Sequence, residues 1–145
     1  MTTQDGLGLA TIAAAAGALP DGVKIWYLDL GPAARLRDWA KCRLQDDELR
    51  RFARLLPAGA TARRCLCRAV LRELLGRALA IAPRSVALVE GPQGKPALAP
   101  QQEAFGLHFN LSHSGDRALF ALSWRGAVGV DLETLDARRD LEGMA

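Results

Sequence analysis

Apolar positions along the chain change their spacing more than once, and the changes divide it into elements. "VKIWYLDL" (Val23 to Leu30) is dense in β-branched and aromatic residues and stops at Gly31-Pro32, which predicts a strand followed by a turn. In "PAARLRDWAKCRL", proline stands at a tolerated first-turn position and Leu36, Trp39, Ala40 and Arg43 recur at helical spacing, so a short amphipathic helix is expected. "QDDELRRFARLL" opens with acids and continues with arginines, the order a helix dipole favours, and predicts a second helix. From Ala60 to Ala80, Leu66, Val70, Leu74 and Ala78 share one stripe flanked by Leu71, Leu75 and Leu79. This predicts a long helix, with Arg63, Arg64, Arg68, Arg72 and Arg77 as its polar and largely solvated side.

Beyond this helix the segments shorten. "SVALVE", a "GPQGKP" turn, "LHFNLS", "RALFALSW" and "AVGVDLE" are separated by glycine-containing breaks and read as strands of a small sheet. The breaks "SGDR" and "WRGA" are short enough for hairpins, so the last three segments are expected to form an antiparallel meander. Helices first and strands later predict an α+β fold, a small and mainly antiparallel sheet packed on the long helix.

Composition adds limits. Half of the 145 residues are apolar, ample for the core of one domain. The net charge of +3 and a pI near 9.1 come mostly from arginine and suit an anionic ligand or partner without demanding nucleic acid. Three cysteines, Cys42, Cys65 and Cys67, are odd in number, and Cys65 and Cys67 are too close to staple a large loop. A disulfide framework is therefore not expected, and the compartment reads as reducing and cytoplasmic. Residues 1–20 include the alanine-rich "LGLATIAAAAGALP", read as a loosely ordered tail or a short helix. Its acidic flank with no Lys or Arg argues against a secretory signal, and the run is too short and glycine-broken to span a bilayer.

Candidate chemistry gathers late in the chain. If "AVGVDLE" is a strand, Asp131 and Glu133 point to one face and need a cation between them. Mg²⁺ meets that need with one or two carboxylates plus phosphate oxygens, while a solvated acidic strand end is the plainer reading. In Ser112-His113-Ser114, neighbours point to opposite faces, so Ser112 cannot use His113 as its base, and no G-x-S-x-G elbow is present. An anion-binding turn and an ordinary polar hairpin turn both remain open there. Lys95, between Gly94 and Pro96, offers a stem and a ring to a flat ligand, or is simply a surface turn. Arg63 and Arg64 lie in the first turn of the long helix, where its dipole attracts anions.

"GKP", "FNLSHS" and "GVDLE", in this order behind an arginine-rich helix, resemble the Sfp-type 4′-phosphopantetheinyl transferases from about Val23 onward. The resemblance implies Mg²⁺-dependent transfer of the phosphopantetheine arm of coenzyme A to a serine of an acyl or peptidyl carrier protein, releasing 3′,5′-ADP. It further implies that Asp131 and Glu133 hold Mg²⁺ against the pyrophosphate. His113 and Arg63 would bind the 3′-phosphate, Ser112 the nucleotide, and Lys95 with Pro96 would line the adenine pocket; Arg51 is a weaker match to another basic contact. Members consist of two similar halves with the coenzyme site between them, and residues 21–145 match the first half.

The family's later motif, W-x-x-K-E-x-x-x-K, is absent, and in "TLDARRDLEGMA" Leu141 and Met144 read as the first apolar positions of an unfinished helix. The expectation is a fragment with weak or no transfer activity alone. Two alternatives are a short protein that binds coenzyme A or a partner without transfer, and two copies that dimerise through an exposed half-domain face. A basic nucleic-acid-binding module ranks lower, because the long helix has no aromatics among its arginines and the paired carboxylates oppose a phosphate backbone. No membrane partner is expected.

Overall fold

The structure, a computed structural model, describes residues 9–11, 21–103 and 105–131. Strands β1 (Leu9–Thr11) and β2 (Val23–Asp29) lead through a 3-10 turn at Gly31–Ala34 to helices α1 (Arg37–Lys41), α2 (Asp46–Leu55) and α3 (Ala58–Leu79). Strands β3 (Leu88–Glu90) and β4 (Pro96–Leu98) form a small ribbon, and a short helix α4 (Pro100–Glu103) leads to strands β5 (His108–Ser114) and β6 (Arg117–Ser123). The α+β class follows the expectation, with α3 lying on one face of an antiparallel sheet.

The sheet order does not follow it. β6 pairs with β5 across the Gly115-Asp116 turn, but its other edge is taken by β2 in a full register from Val23 opposite Ser123 to Asp29 opposite Arg117. The order is β1-β2-β6-β5, and of "AVGVDLE" (Ala127 to Glu133), expected as the third meander strand, the described residues Ala127 to Asp131 carry no strand pairing. β6 has only two edges, and a segment as apolar on both faces as "VKIWYLDL" loses less in a central position than a glycine-broken one would. Leu9–Thr11, within the stretch read as a tail or helix, pairs antiparallel with β2 and so covers an otherwise open edge.

Alternation places Trp26 and Leu28 of β2, Ala118, Phe120 and Leu122 of β6, and Phe109 and Leu111 of β5 on the side facing α3. From α3, Leu66, Cys67, Val70, Leu71, Leu74 and Leu75 fill the space opposite. Val86, Leu98 and Leu107 close the core below the β3–β4 ribbon.

The arginines of α3 are not one solvated face. Arg72 is 1% exposed and Arg68 7%. Both converge on Glu48 of α2, itself 6% exposed. Arg72 Nε donates to Glu48 Oε1 at 2.8 Å, and Arg68 donates to Oε2 at 3.1 Å. The other donors of Arg72 reach the carbonyls of Val86 at 2.7 Å and Pro83 at 3.1 Å. Glu48 also accepts the Gln45 amide at 3.0 Å, closing the first turn of α2. A second, shallower network joins Arg43 and Arg77 to Glu73, with the Arg43 guanidinium 3.8 Å above the Trp39 ring.

α3 stops where Ala80 adopts a left-handed conformation (φ 57°) and the Ile81 amide donates back to the Gly76 carbonyl at 2.9 Å. A Cβ on Gly76 would stand 2.8 Å from the Ile81 carbonyl oxygen, which explains a glycine inside a helix.

Replacing Glu48 with alanine leaves two buried guanidinium groups without their carboxylate, and urea unfolding should show a loss of about 3–5 kcal/mol. Gly76→Ala should lose about 1–3 kcal/mol by the same measurement. A Glu48→Ala protein as stable as the parent would show that the buried network carries no weight.

Candidate functional site

Among the described residues β5 is an edge strand, and this determines the geometry of the site. A hollow against the face of a sheet sees every second residue, whereas one that wraps around an edge sees consecutive residues. Asn110, Leu111, Ser112 and His113 all line a cleft of about 320 Å³ beside β5. Its remaining walls come from Arg64, Cys67 and Arg68 of α3, from Gly94, Lys95 and Pro96 ahead of and within β4, and from Val130 and Asp131.

Each wall has a local cause. The turn before β4 folds because Pro92 presets its first residue and Gly94 takes a left-handed φ of 74°, with Gly91 donating to the Lys95 carbonyl at 2.6 Å. The segment after β6 is tied down by Val130, whose amide donates to Asn110 Oδ1 at 3.2 Å. That bond brings Asp131 to the cleft without a strand. The α3 wall is held from behind, since Arg68 is fixed by Glu48.

His113 meets Arg64 at 2.6 Å between Nε2 and a guanidinium nitrogen. A guanidinium only donates, so Nε2 accepts and the ring proton sits on Nδ1. Burial first, and the adjacent Arg64 charge second, hold the imidazole below its ordinary value. Burial pushes the Cys67 thiol up to about 12, against the opposing pull of Arg64 and Arg68, so it is an inert part of the wall. Among the described residues of the wall, Asp131 is the single acid, set against the cations Arg64, Arg68 and Lys95.

Lys95, Pro96, Ser112, His113 and Asp131 are thus brought together. Arg63 lines an adjoining hollow that shares Arg64 and His113. Arg51 forms an ion pair with Glu90 and is not part of the cleft wall. Glu133 lies outside the described residues, as do Leu141 and Met144. Among the described residues no three His, Cys, Asp or Glu side chains converge as a metal site.

Over 128 residues, 88% of its length, the chain is 38% identical to the 4′-phosphopantetheinyl transferase HetI of Nostoc sp.. It is also 42% identical over 74 residues to the 4′-phosphopantetheinyl transferase AcpT of Escherichia coli, and 43% to AcpT of Salmonella typhimurium, each over 51% of this chain. The chain belongs to the 4′-phosphopantetheinyl transferase superfamily. It spans 54% of the length of HetI and 35% of each AcpT. No family model matches the chain.

For a chain of this superfamily, Arg64, Arg68 and Asn110 are the wall residues that the motifs alone did not single out as ligands. Arg64 and Arg68 lie seven residues before Leu71 and Leu75, the flank of the apolar stripe, so helical phase sets them at its edge without marking them as buried. Asn110 gave no such signal, because its role is to hold a distant backbone amide.

His113 yields a pH prediction. Its folded value is depressed, so the unfolded chain binds the proton more readily and stability must fall as pH drops from about 6.5 toward that lower value. The urea midpoint should decline over that window in the parent and decline less in His113→Gln. Parallel profiles for the two would refute the assignment.

Proposed function

We propose that this chain supplies the coenzyme-binding cleft of an enzyme that transfers the 4′-phosphopantetheine moiety of coenzyme A to a serine of an acyl or peptidyl carrier protein, in the presence of Mg²⁺. The observation that carries the reading is the meeting of Lys95 and Pro96, Ser112 and His113, and Asp131 in one arginine-backed cleft. A volume of about 320 Å³ suits the nucleotide end of the coenzyme, leaving its pantetheine arm outside.

In this reading, Lys95 and Pro96 hold the adenine by their stem and ring, and Ser112 hydrogen-bonds the nucleotide. His113 and Arg64, with Arg63 from the adjoining hollow, take the 3′-phosphate. An incoming phosphate reverses the environment of His113, from one dominated by burial and a cation to one dominated by an anion, so binding draws a proton onto the ring. Arg68 and Lys95 add positive charge along the wall. Arg51, in its pair with Glu90, steadies the ribbon that carries Lys95 instead of touching the ligand.

The donor chemistry at Asp131 fits a hard divalent cation, since a carboxylate oxygen is the ligand Mg²⁺ prefers and one or two suffice beside phosphate oxygens. Asp131 would hold it, joined by Glu133. When bound, Mg²⁺ supplies neutralisation of the pyrophosphate charge as 3′,5′-ADP departs. The chain's own contribution is to position: it fixes the nucleotide and keeps the pyrophosphate beside Asp131, so that the carrier serine oxygen can bond to phosphorus as the bond to 3′,5′-ADP breaks.

Calorimetry with coenzyme A should show binding that tightens with Mg²⁺. Lys95→Ala should weaken it about tenfold with or without the metal, in line with loss of one charged contact. Asn110→Ala, which frees the segment bearing Asp131, should erase the Mg²⁺ effect and leave metal-free binding nearly intact. Weighing an apo carrier protein after incubation with coenzyme A, Mg²⁺ and the protein tests transfer itself. No affinity for coenzyme A with Mg²⁺, together with salt-sensitive binding to generic DNA, would replace this reading with a nucleic-acid module.

A further inference from the structure

A second hollow lies on the other side of the first half of α3. Ala40, Leu49, Ala53, Leu56, Ala62 and Cys65, drawn from α1, α2, α3 and the α2–α3 junction, form a groove of about 660 Å³ that is apolar along its floor. Arg37, Lys41 and Arg50 stand on its rim, all exposed. It shares no lining residue with the coenzyme cleft.

Charge sets this groove apart. Five other arginines are held by acids within the fold: Arg43 and Arg77 by Glu73, Arg51 by Glu90, Arg68 and Arg72 by Glu48. Arg37, Lys41 and Arg50 have no hydrogen-bond or ion-pair partner among the described residues, and no acid is among the residues lining the groove. Two of them, Lys41 and Arg37, are close enough to pull the Cys65 thiol downward against burial and Glu48.

The floor narrows the choice of occupant. A small molecule needs convergent polar groups to orient it. Here the Thr61 hydroxyl is already turned to the Pro57 carbonyl at 2.9 Å, with those of Leu56 and Phe52 also within reach. Among the described residues no strand borders the groove, so an added β-strand would find no ladder there. A lipid surface needs protruding apolar residues, and this surface is concave. Nucleic acid would meet an apolar floor without aromatics. What remains is a helix that carries an apolar stripe and acids on both flanks.

We propose that the groove between α1, α2 and α3 docks an acidic amphipathic helix of a partner protein. Its apolar side chains at i, i+3 or i+4, and i+7 enter the floor, and its flanking carboxylates pair with Arg37, Lys41 and Arg50. The proposal is independent of which ligand the cleft takes.

The probe is a synthetic helix of about 18 residues, or five turns, with leucines along one stripe and glutamates beside it; a twin carries lysines in place of the glutamates. Both are titrated into the isotope-labelled protein at low salt and followed by amide shifts. The glutamate peptide should move the amides of Ala40, Leu49, Ala53 and Ala62 and bind about tenfold more tightly than its twin. The triple variant Arg37→Glu, Lys41→Glu, Arg50→Glu should reverse that order. Ala53→Glu, at an exposed position that leaves the fold intact, should weaken the glutamate peptide in the parent background. Equal affinity for the two peptides, shifts away from the groove, or no reversal in the triple variant would overturn the proposal. So would sedimentation showing that a second copy of the chain occupies the same residues.

Discussion

One buried carboxylate organises this protein. Glu48 takes donors from Arg68, Arg72 and the Gln45 backbone, so a single side chain closes the first turn of α2 and fastens α2 to α3. Through the two carbonyls that Arg72 reaches, at Pro83 and Val86, it also secures the chain leading into the β3–β4 ribbon. Desolvating three charged groups is costly, and the arrangement is tolerable only because every buried side-chain polar atom among the described residues has a partner. Its return is orientation. With Arg68 immobilised, the cleft gains a rigid cationic wall instead of a long side chain free to sample many rotamers.

The same residue type therefore serves three ends within one helical layer. Arg72 and Arg68 bind elements together, Arg64 faces the cleft at His113, and Arg37 and Arg50 stand on the rim of an apolar groove whose described lining holds no acid. Composition counts these as equal positive charges. Their energetics differ because a charge in the interior is fixed by its partner, while one at the surface is largely screened by water and salt.

The sheet makes the complementary contribution. Because β5 has no strand on its outer side among the described residues, consecutive residues from Asn110 to His113 can act around a single ligand volume. Asn110 uses the edge differently, accepting an amide from Val130 in place of a ladder bond. Asp131 reaches the cleft through that contact, in a segment whose described residues form no strand. The likeness to HetI and AcpT agrees with the assignment the motifs suggested.

What was legible in the sequence was whatever local chemistry decides. The apolar stripe of α3, the acid-to-arginine order of α2, the turn at Gly94 and the α+β succession all follow from spacing, dipole and backbone preference within a few residues. The family motifs marked Lys95, Ser112, His113 and Asp131 for the same reason, since each is a short contiguous string. Tertiary structure alone decided that β2, and not the "AVGVDLE" segment, lies beside β6. It also decided that Arg68 and Arg72 are buried, that Arg51 turns to Glu90, and that Arg64 is the arginine that meets His113. Each of these depends on partners far away in the chain. A strand edge or a guanidinium carries no local mark of which distant group will satisfy it, and that choice is made only when the core closes.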